Sequence, residues 1–279
     1  MSKIKINLIK NTIKHNISQI FALTEKNIKL QLRFKLEFIL GFINPLISIL
    51  MPLIIFNAFF NFNQSFVPWT ARNYSIFIIT SFNLTLLQKI ISDYPNMLRQ
   101  EKFWKTLSAL IIAPFNKFDL LLGILLSHLV IISVPFTIFF IIGLILYPIN
   151  LITIIFVLFD FLLIALIFSG IGLLLGVFAI SKPNIWKFLN ITLKFIFWAS
   201  CISYPFALFD KPIQNVISLN PLYYIFTILR MTWVQDNFLL TLIQYPFYFF
   251  IIIACAIILP IISVIMFNKV YRKYGIIGY

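Results

Sequence analysis

Residues 118–180 read FDLLLGILLSHLVIISVPFTIFFIIGLIL, then YPIN, then LITIIFVLFDFLLIALIFSGIGLLLGVFAI. The outer two pieces are apolar runs in which Asp119 and Asp160 are the only acidic or basic side chains apart from His128. A helix rises about 1.5 Å per residue, so roughly 20 apolar residues cross a hydrocarbon core of about 30 Å. Both runs are long enough to cross. The turn Tyr147-Pro148-Ile149-Asn150 sends the second back beside the first. No pattern of alternating ten-residue strands occurs, so the spans are helices rather than the staves of a barrel.

The rest of the chain follows the same pattern. It has 279 residues, 61% hydrophobic and 11% charged, where a soluble domain is about 25% charged. Six segments qualify as spans, at about 38–60, 73–93, 118–146, 151–180, 188–207 and 241–267. The polar stretches between them are too short to fold alone. The expected fold is an all-α integral membrane protein with one transmembrane domain over residues 1–279.

With an even number of spans both termini share a side. Segments 1–37, 89–117, 182–194 and 269–273 then hold 19 Lys and Arg, against Arg72, Lys211 and Arg230 on the other side. The positive-inside rule predicts cytoplasmic termini. The net charge of +14 therefore reflects topology and attraction to anionic lipid, and a nucleic-acid partner is not expected. The basic N-terminus lacks a signal core and is expected to be retained. Segment 1–37 carries an interfacial helix over 13–36, with Ile13, Ile17, Ile20, Phe21 and Ile28 on one face. Apolar–polar alternation from Ile28 to Glu37 predicts a break near Ile28. Segment 208–240, with Pro212, Asn220-Pro221 and Tyr223-Tyr224, reads as short outer re-entrant or interfacial helices.

Catalysis is not expected. His15 and His128 stand far apart, no metal-ligand cluster exists, and Cys201 and Cys255 read as free thiols within apolar segments. No Gly-rich loop with Gly-Lys-Ser/Thr occurs, so no ATP binds this chain in the P-loop manner. The chain is read as no enzyme, with no metal and no cofactor of its own.

Charged groups at membrane depth mark function by default. Asp160 lies near mid-membrane, where it either bonds Thr137 or Ser133 across the hairpin or is protonated, in a structural role or in a substrate or proton role, and His128 is set too low to reach it. Lys187, Asn190, Lys194 and Cys201 follow one face of the fifth span, flanked by Trp198. Lys187 is expected to snorkel to the lipid phosphates, and Lys194 either to snorkel or to meet a ligand. Gly170, Gly172 and Gly176 permit close helix approach and are expected to pack within the chain rather than between copies. Asn44-Pro45 and Pro52 are expected to kink the first span, and Asn57 and Asn83 to form interhelical bonds.

Between the second and third spans lies a charged island, Arg99-Gln-Glu101-Lys102-Phe103-Trp104-Lys105-Thr106-Leu107, running on to Ala113-Pro114, Asn116-Lys117 and Asp119 to Gly123. It predicts a short amphipathic helix over about 95–113, ended by Pro114. Together with Gly41 to Leu46, Gly170 to Gly176 and Leu219-Asn220-Pro221-Leu-Tyr223-Tyr224, taken in order, it resembles the permease subunits of the ABC type-2 exporter family. The resemblance covers nearly the whole chain. Lys105 stands where the family often has Gly, Ser108 where it often has an acidic residue, and Phe103-Trp104 where charges are common.

The resemblance implies that the island is a coupling helix docking on a separate ATPase subunit. Phe103, Trp104 and Leu107 would be its anchors, and Arg99, Lys102 and Lys105 its rim, with Glu101 and Thr106 beside them. It implies ATP and Mg bound by that partner, a second permease subunit as homodimer or paralogue, and export of an amphiphilic substrate such as a drug, lipid or glycolipid. The first and fifth spans would line the path, through Asn44, Asn190, Lys194, Trp198 and Cys201. An ATP-independent carrier and a membrane scaffold are the competing readings. The expected location is the cell membrane, or a plastid membrane.

Overall fold

A computed structural model describes residues 2–33, 35–61, 68–70, 73–105, 117–181 and 183–274. Among these the chain is helical, with no strand. The helices are α1 (Ser2–Arg33), α2 (Lys35–Asn61), α3 (Tyr74–Phe103), α4 (Lys117–Leu146), α5 (Leu151–Ser181), α6 (Pro183–Trp198), α7 (Lys211–Ile217), α8 (Pro221–Gln235), α9 (Phe238–Gln244) and α10 (Pro246–Tyr274), with a 3-10 turn at Phe206–Leu208.

Four of these, α3, α4, α5 and α10, are long and apolar enough to cross a membrane. The distribution of side chains fits that solvent. Val130, Val134 and Ile138 on α4, Leu151, Ile155 and Leu162 on α5, and Phe250, Ile253 and Ile257 on α10 are exposed. Ser127, His128, Asp160, Ser169, Arg230, Thr232 and Ser263 are buried. Water would penalise such an outer surface, whereas lipid accepts it and drives polar groups inward. The protein is membrane-embedded.

Helix α5 is the axis of the bundle, lying along α3 on one side and α10 on the other. Its glycines make that possible. A Cβ at Gly170 would lie 2.7 Å from the Pro260 nitrogen of α10, and one at Gly172 would lie 2.8 Å from the Tyr94 ring of α3. The glycine cluster thus packs within the chain, as its sequence suggested.

Three sequence expectations are corrected. The N-terminal helix does not break near Ile28 but runs unbroken to Arg33. Ile20, Leu23, Thr24 and Asn27, spaced three, four and seven residues apart, face the bundle, whereas Ile17 and Phe21 are exposed. A lone strand there would leave its backbone unpaired, and the seat on α4 favours helix. The fifth segment does not stay helical to 207. α6 stops at Trp198, and Cys201 takes a left-handed φ of 57° in the turn that follows. The island is not a detached helix over 95–113. α3 passes straight through the predicted end of the second span and continues to Phe103. Residues 106–116, with Thr106, Leu107 and Pro114, lie outside the described residues.

Candidate functional site

The far end of α3 is the first candidate. Pro95 lies within the helix without ending it, and α3 stops only at Phe103. The Trp104 amide donates to the Gln100 carbonyl at 2.9 Å, and the Lys105 amide donates to the Lys102 carbonyl at 3.1 Å. Lys105 itself has φ 59°, which turns the chain away. Phe103 is left 84% exposed and Trp104 43% exposed. Arg99, Lys102 and Lys105 are exposed around them. Glu101 differs from its neighbours. It is buried and forms an ion pair with Lys26 of α1. The predicted coupling residues thus divide between an outward aromatic pair with a basic rim and one inward carboxylate that ties α3 to α1.

Helix α1 is seated on this end. The Thr24 hydroxyl donates to the Gly123 carbonyl of α4 at 3.2 Å and to its own Ile20 carbonyl at 2.8 Å. Gly123 is needed there, since a Cβ would come within 2.7 Å of the Leu23 Cβ. On the outer face of α1, Lys29 donates to Glu25 at 2.6 Å, which holds the Glu25 carboxyl below its usual range. Beneath α1, Asp93 of α3 and His128 of α4 meet at 2.6 Å, and the other ring nitrogen of His128 lies 3.3 Å from the Leu86 carbonyl. The sequence reading missed this pair. Asp93 lies ten residues before Phe103 and His128 eleven residues after Lys117, so nearly equal steps back from the island on two antiparallel helices bring them together.

The opposite end is closed by α7, α8 and α9, short helices where the sequence predicted them. Asn220 caps α8, accepting from the Leu222 amide at 3.1 Å, while its own amide donates to the Ile196 carbonyl at 2.7 Å. Pro221 opens the helix, Tyr223 stacks on Phe206, and the Tyr224 hydroxyl donates to the Ser218 carbonyl at 2.7 Å. Arg230, in the same helix, is 3% exposed. Its guanidinium donates to the Cys201 carbonyl at 2.8 Å, the Ile202 carbonyl at 2.6 Å and the Ser81 hydroxyl at 2.9 Å, and it stacks 3.8 Å from the centre of the Phe77 ring. The sequence gives this arginine a part in topology alone. Nothing in its local sequence marks it, because its partners come from α3 and from the turn after α6.

The remaining polar residues are dispersed. Asp160 does not meet Thr137 or Ser133. Thr137 is exposed, the Ser133 hydroxyl turns back to Val130, and the Thr232 hydroxyl of α8 donates to Asp160 at 3.5 Å instead. The insertion of α8 beside α5 supplies that partner. Asn83 is fully buried, but its side chain has no hydrogen-bond partner, contrary to the expected interhelical bond. Asn44, Asn190, Lys194 and Trp198 are exposed. Cys201 leaves their stripe, since it lies buried beyond the end of α6 against Arg230. The side chains of Asn57 and Lys187 lie outside the described ones. Among the described residues no group of His, Cys, Asp and Glu could hold a metal.

A comparison with protein-family models and with curated proteins finds no match to this chain.

Proposed function

We propose that this protein is the transmembrane subunit of an ATP-binding cassette exporter, one half of a permease dimer worked by separate ATPase subunits. The observation that carries the reading is the end of α3. A membrane-embedded helix that extends past its span and leaves Phe103 and Trp104 exposed within a basic rim has the composition of a docking hot spot, where aromatic and Arg residues dominate. With no P-loop in the sequence, this reading gives ATP and Mg to the partner. The family resemblance of the ordered motifs supplies the kind of partner.

In this reading α2 and α6 join the four long helices as the remaining spans. The termini, α1 and the end of α3 face the cytoplasm of a cell membrane. ATP closes the ATPase pair, α3 transmits the movement, and the two permease subunits part to pass an amphiphile outward. Permease and ATPase then share a two-state equilibrium that ATP and cargo both bias.

The test begins with the neighbouring reading frames: a Walker-type ATPase found there is co-expressed with this chain, followed by co-purification and ATP turnover. The wild type is expected to retain the ATPase. Trp104→Glu is expected to lose it while remaining monodisperse in detergent. Normal assembly and turnover in that variant would overturn docking through this end of α3.

A further inference from the structure

A cavity of about 80 Å³ lies where α1 crosses α3 and α4, lined by Asn27, Lys89, Asp93, Asn96, Gln100 and Ser127 among others. Three of these groups are arranged for a ligand. Asn27 is 4% exposed, and neither its amide nitrogen nor its carbonyl oxygen has a hydrogen-bond partner. A buried amide left idle costs free energy that a folded chain normally recovers. Lys89 and Asp93 stand one helical turn apart on α3, the spacing at which opposite charges pair, yet Asp93 turns its Oδ2 to His128 instead. The Lys89 side chain has no ion pair or hydrogen bond among the described residues, and its ammonium lies over Gly41 of α2 in the space a Cβ would take. The cavity lining therefore includes a lysine, a carboxylate and an idle amide that are not spent on one another.

We propose that this cleft binds a zwitterionic phosphoethanolamine group. Lys89 and the Asn27 amide nitrogen would meet the phosphate, and Asp93 and the Asn27 carbonyl would meet the ammonium. The cavity is small beside the pockets of drug-sized molecules, which run to roughly 300–1,000 Å³. A group held here bridges α1 to α3 beside the Lys26–Glu101 pair. The inference rests on the chain's place in a membrane and not on the exporter reading.

The test is binding to the purified full-length chain, without any ATPase, so that it fails or succeeds independently of the exporter. Nanodiscs of phosphatidylcholine carrying graded phosphatidylethanolamine report lipid retention by native mass spectrometry and stability by thermal shift. The wild type is expected to retain phosphatidylethanolamine over phosphatidylcholine by roughly 10-fold, the worth of a hydrogen bond to a charged group. Asn27→Leu, which keeps the side-chain skeleton and leaves no idle amide, is expected to fold at least as stably and to lose the preference; Lys89→Gln is expected to lose the preference too. Soluble phosphoethanolamine that displaces the lipid at millimolar levels would assign the site to a free metabolite of the same chemistry. Failure to displace it would assign the site to the lipid. Retention that ignores headgroup and is unchanged in both variants, or inorganic phosphate binding as tightly as phosphoethanolamine, would overturn the proposal and leave a water-filled cleft.

Discussion

Lys26 and Glu101 form an ion pair whose two ends sit in different solvents: Lys26 is 43% exposed and Glu101 2% exposed. The pair joins the N-terminal helix to the last turn of α3, within one turn of the exposed aromatic pair. Its asymmetry decides what each partner's loss would do.

Removing Glu101 leaves a lysine that water can solvate, while removing Lys26 takes the ammonium from a buried carboxylate. Breaking a buried pair from the expensive side costs about 3–5 kcal/mol, and exposure of Lys26 reduces that here to about 1–2 kcal/mol. Lys26→Met is therefore expected to lower thermal stability more than Glu101→Gln. Equal losses in matched melting curves would count against the Lys26 ammonium as the charge that Glu101 depends on.

Arg230 is expected to be the least replaceable charge in the molecule. Arg230→Met strips donors from the Cys201 and Ile202 carbonyls and the Ser81 hydroxyl and is expected to cost about 3 kcal/mol or more. Arg230→Lys keeps the charge but lacks the planar fork that reaches α3 and the turn at once, so an intermediate loss is expected. Limited proteolysis between α6 and α7 provides the check. Cleavage there should rise in the order wild type, Lys, Met, and an Arg230→Lys protein as resistant as wild type would show that the charge alone suffices.

The glycines of α5 should differ in what they tolerate. A Cβ at Gly170 meets the backbone at Leu259 and Pro260, which cannot yield, while a Cβ at Gly176 meets the Leu98 Cδ1 at 2.7 Å, the end of a flexible side chain. Gly170→Ala is expected to destabilise by about 1–3 kcal/mol, the usual cost of overpacking, and Gly176→Ala by much less. Denaturation in mixed micelles separates them. Equal tolerance would mean that α10 shifts away from α5 at little cost.

The transmembrane class was legible because length and apolarity alone meet the requirement of a bilayer, and the long helices containing Ile79, Ile131, Phe161 and Ile252 are built from such runs. Helix ends set by distant contacts were not legible. Nothing near Cys201 announces that α6 ends before it, because the turn is organised by Arg230, 29 residues on. The partner of Asp160 was misassigned for the same reason. Hairpin register names Thr137, but a third helix intervenes and brings Thr232. Of the proposed docking end, the aromatic pair could be read from sequence as outward-facing. The inward turn of Glu101 could not, since it depends on where α1 lies.

Lys194 tests the path that the exporter reading assigns to α6. It stands one turn beyond Asn190 on an exposed face with Trp198 a further turn on, eleven residues into a helix that begins at Pro183, or roughly 16 Å from its start at 1.5 Å per residue. A snorkelling lysine needs only a long stem and a cationic head, which Arg supplies as well as Lys. A ligand contact needs the positive charge at that depth. If Lys194 meets an anionic headgroup of the cargo, Lys194→Leu lowers export of amphiphiles that the wild type clears by about 10-fold or more at normal expression, since a charge-assisted hydrogen bond is worth about 1.5–3 kcal/mol, while Lys194→Arg retains most of it. Unchanged export by both variants would refute the contact and return Lys194 to the lipid interface.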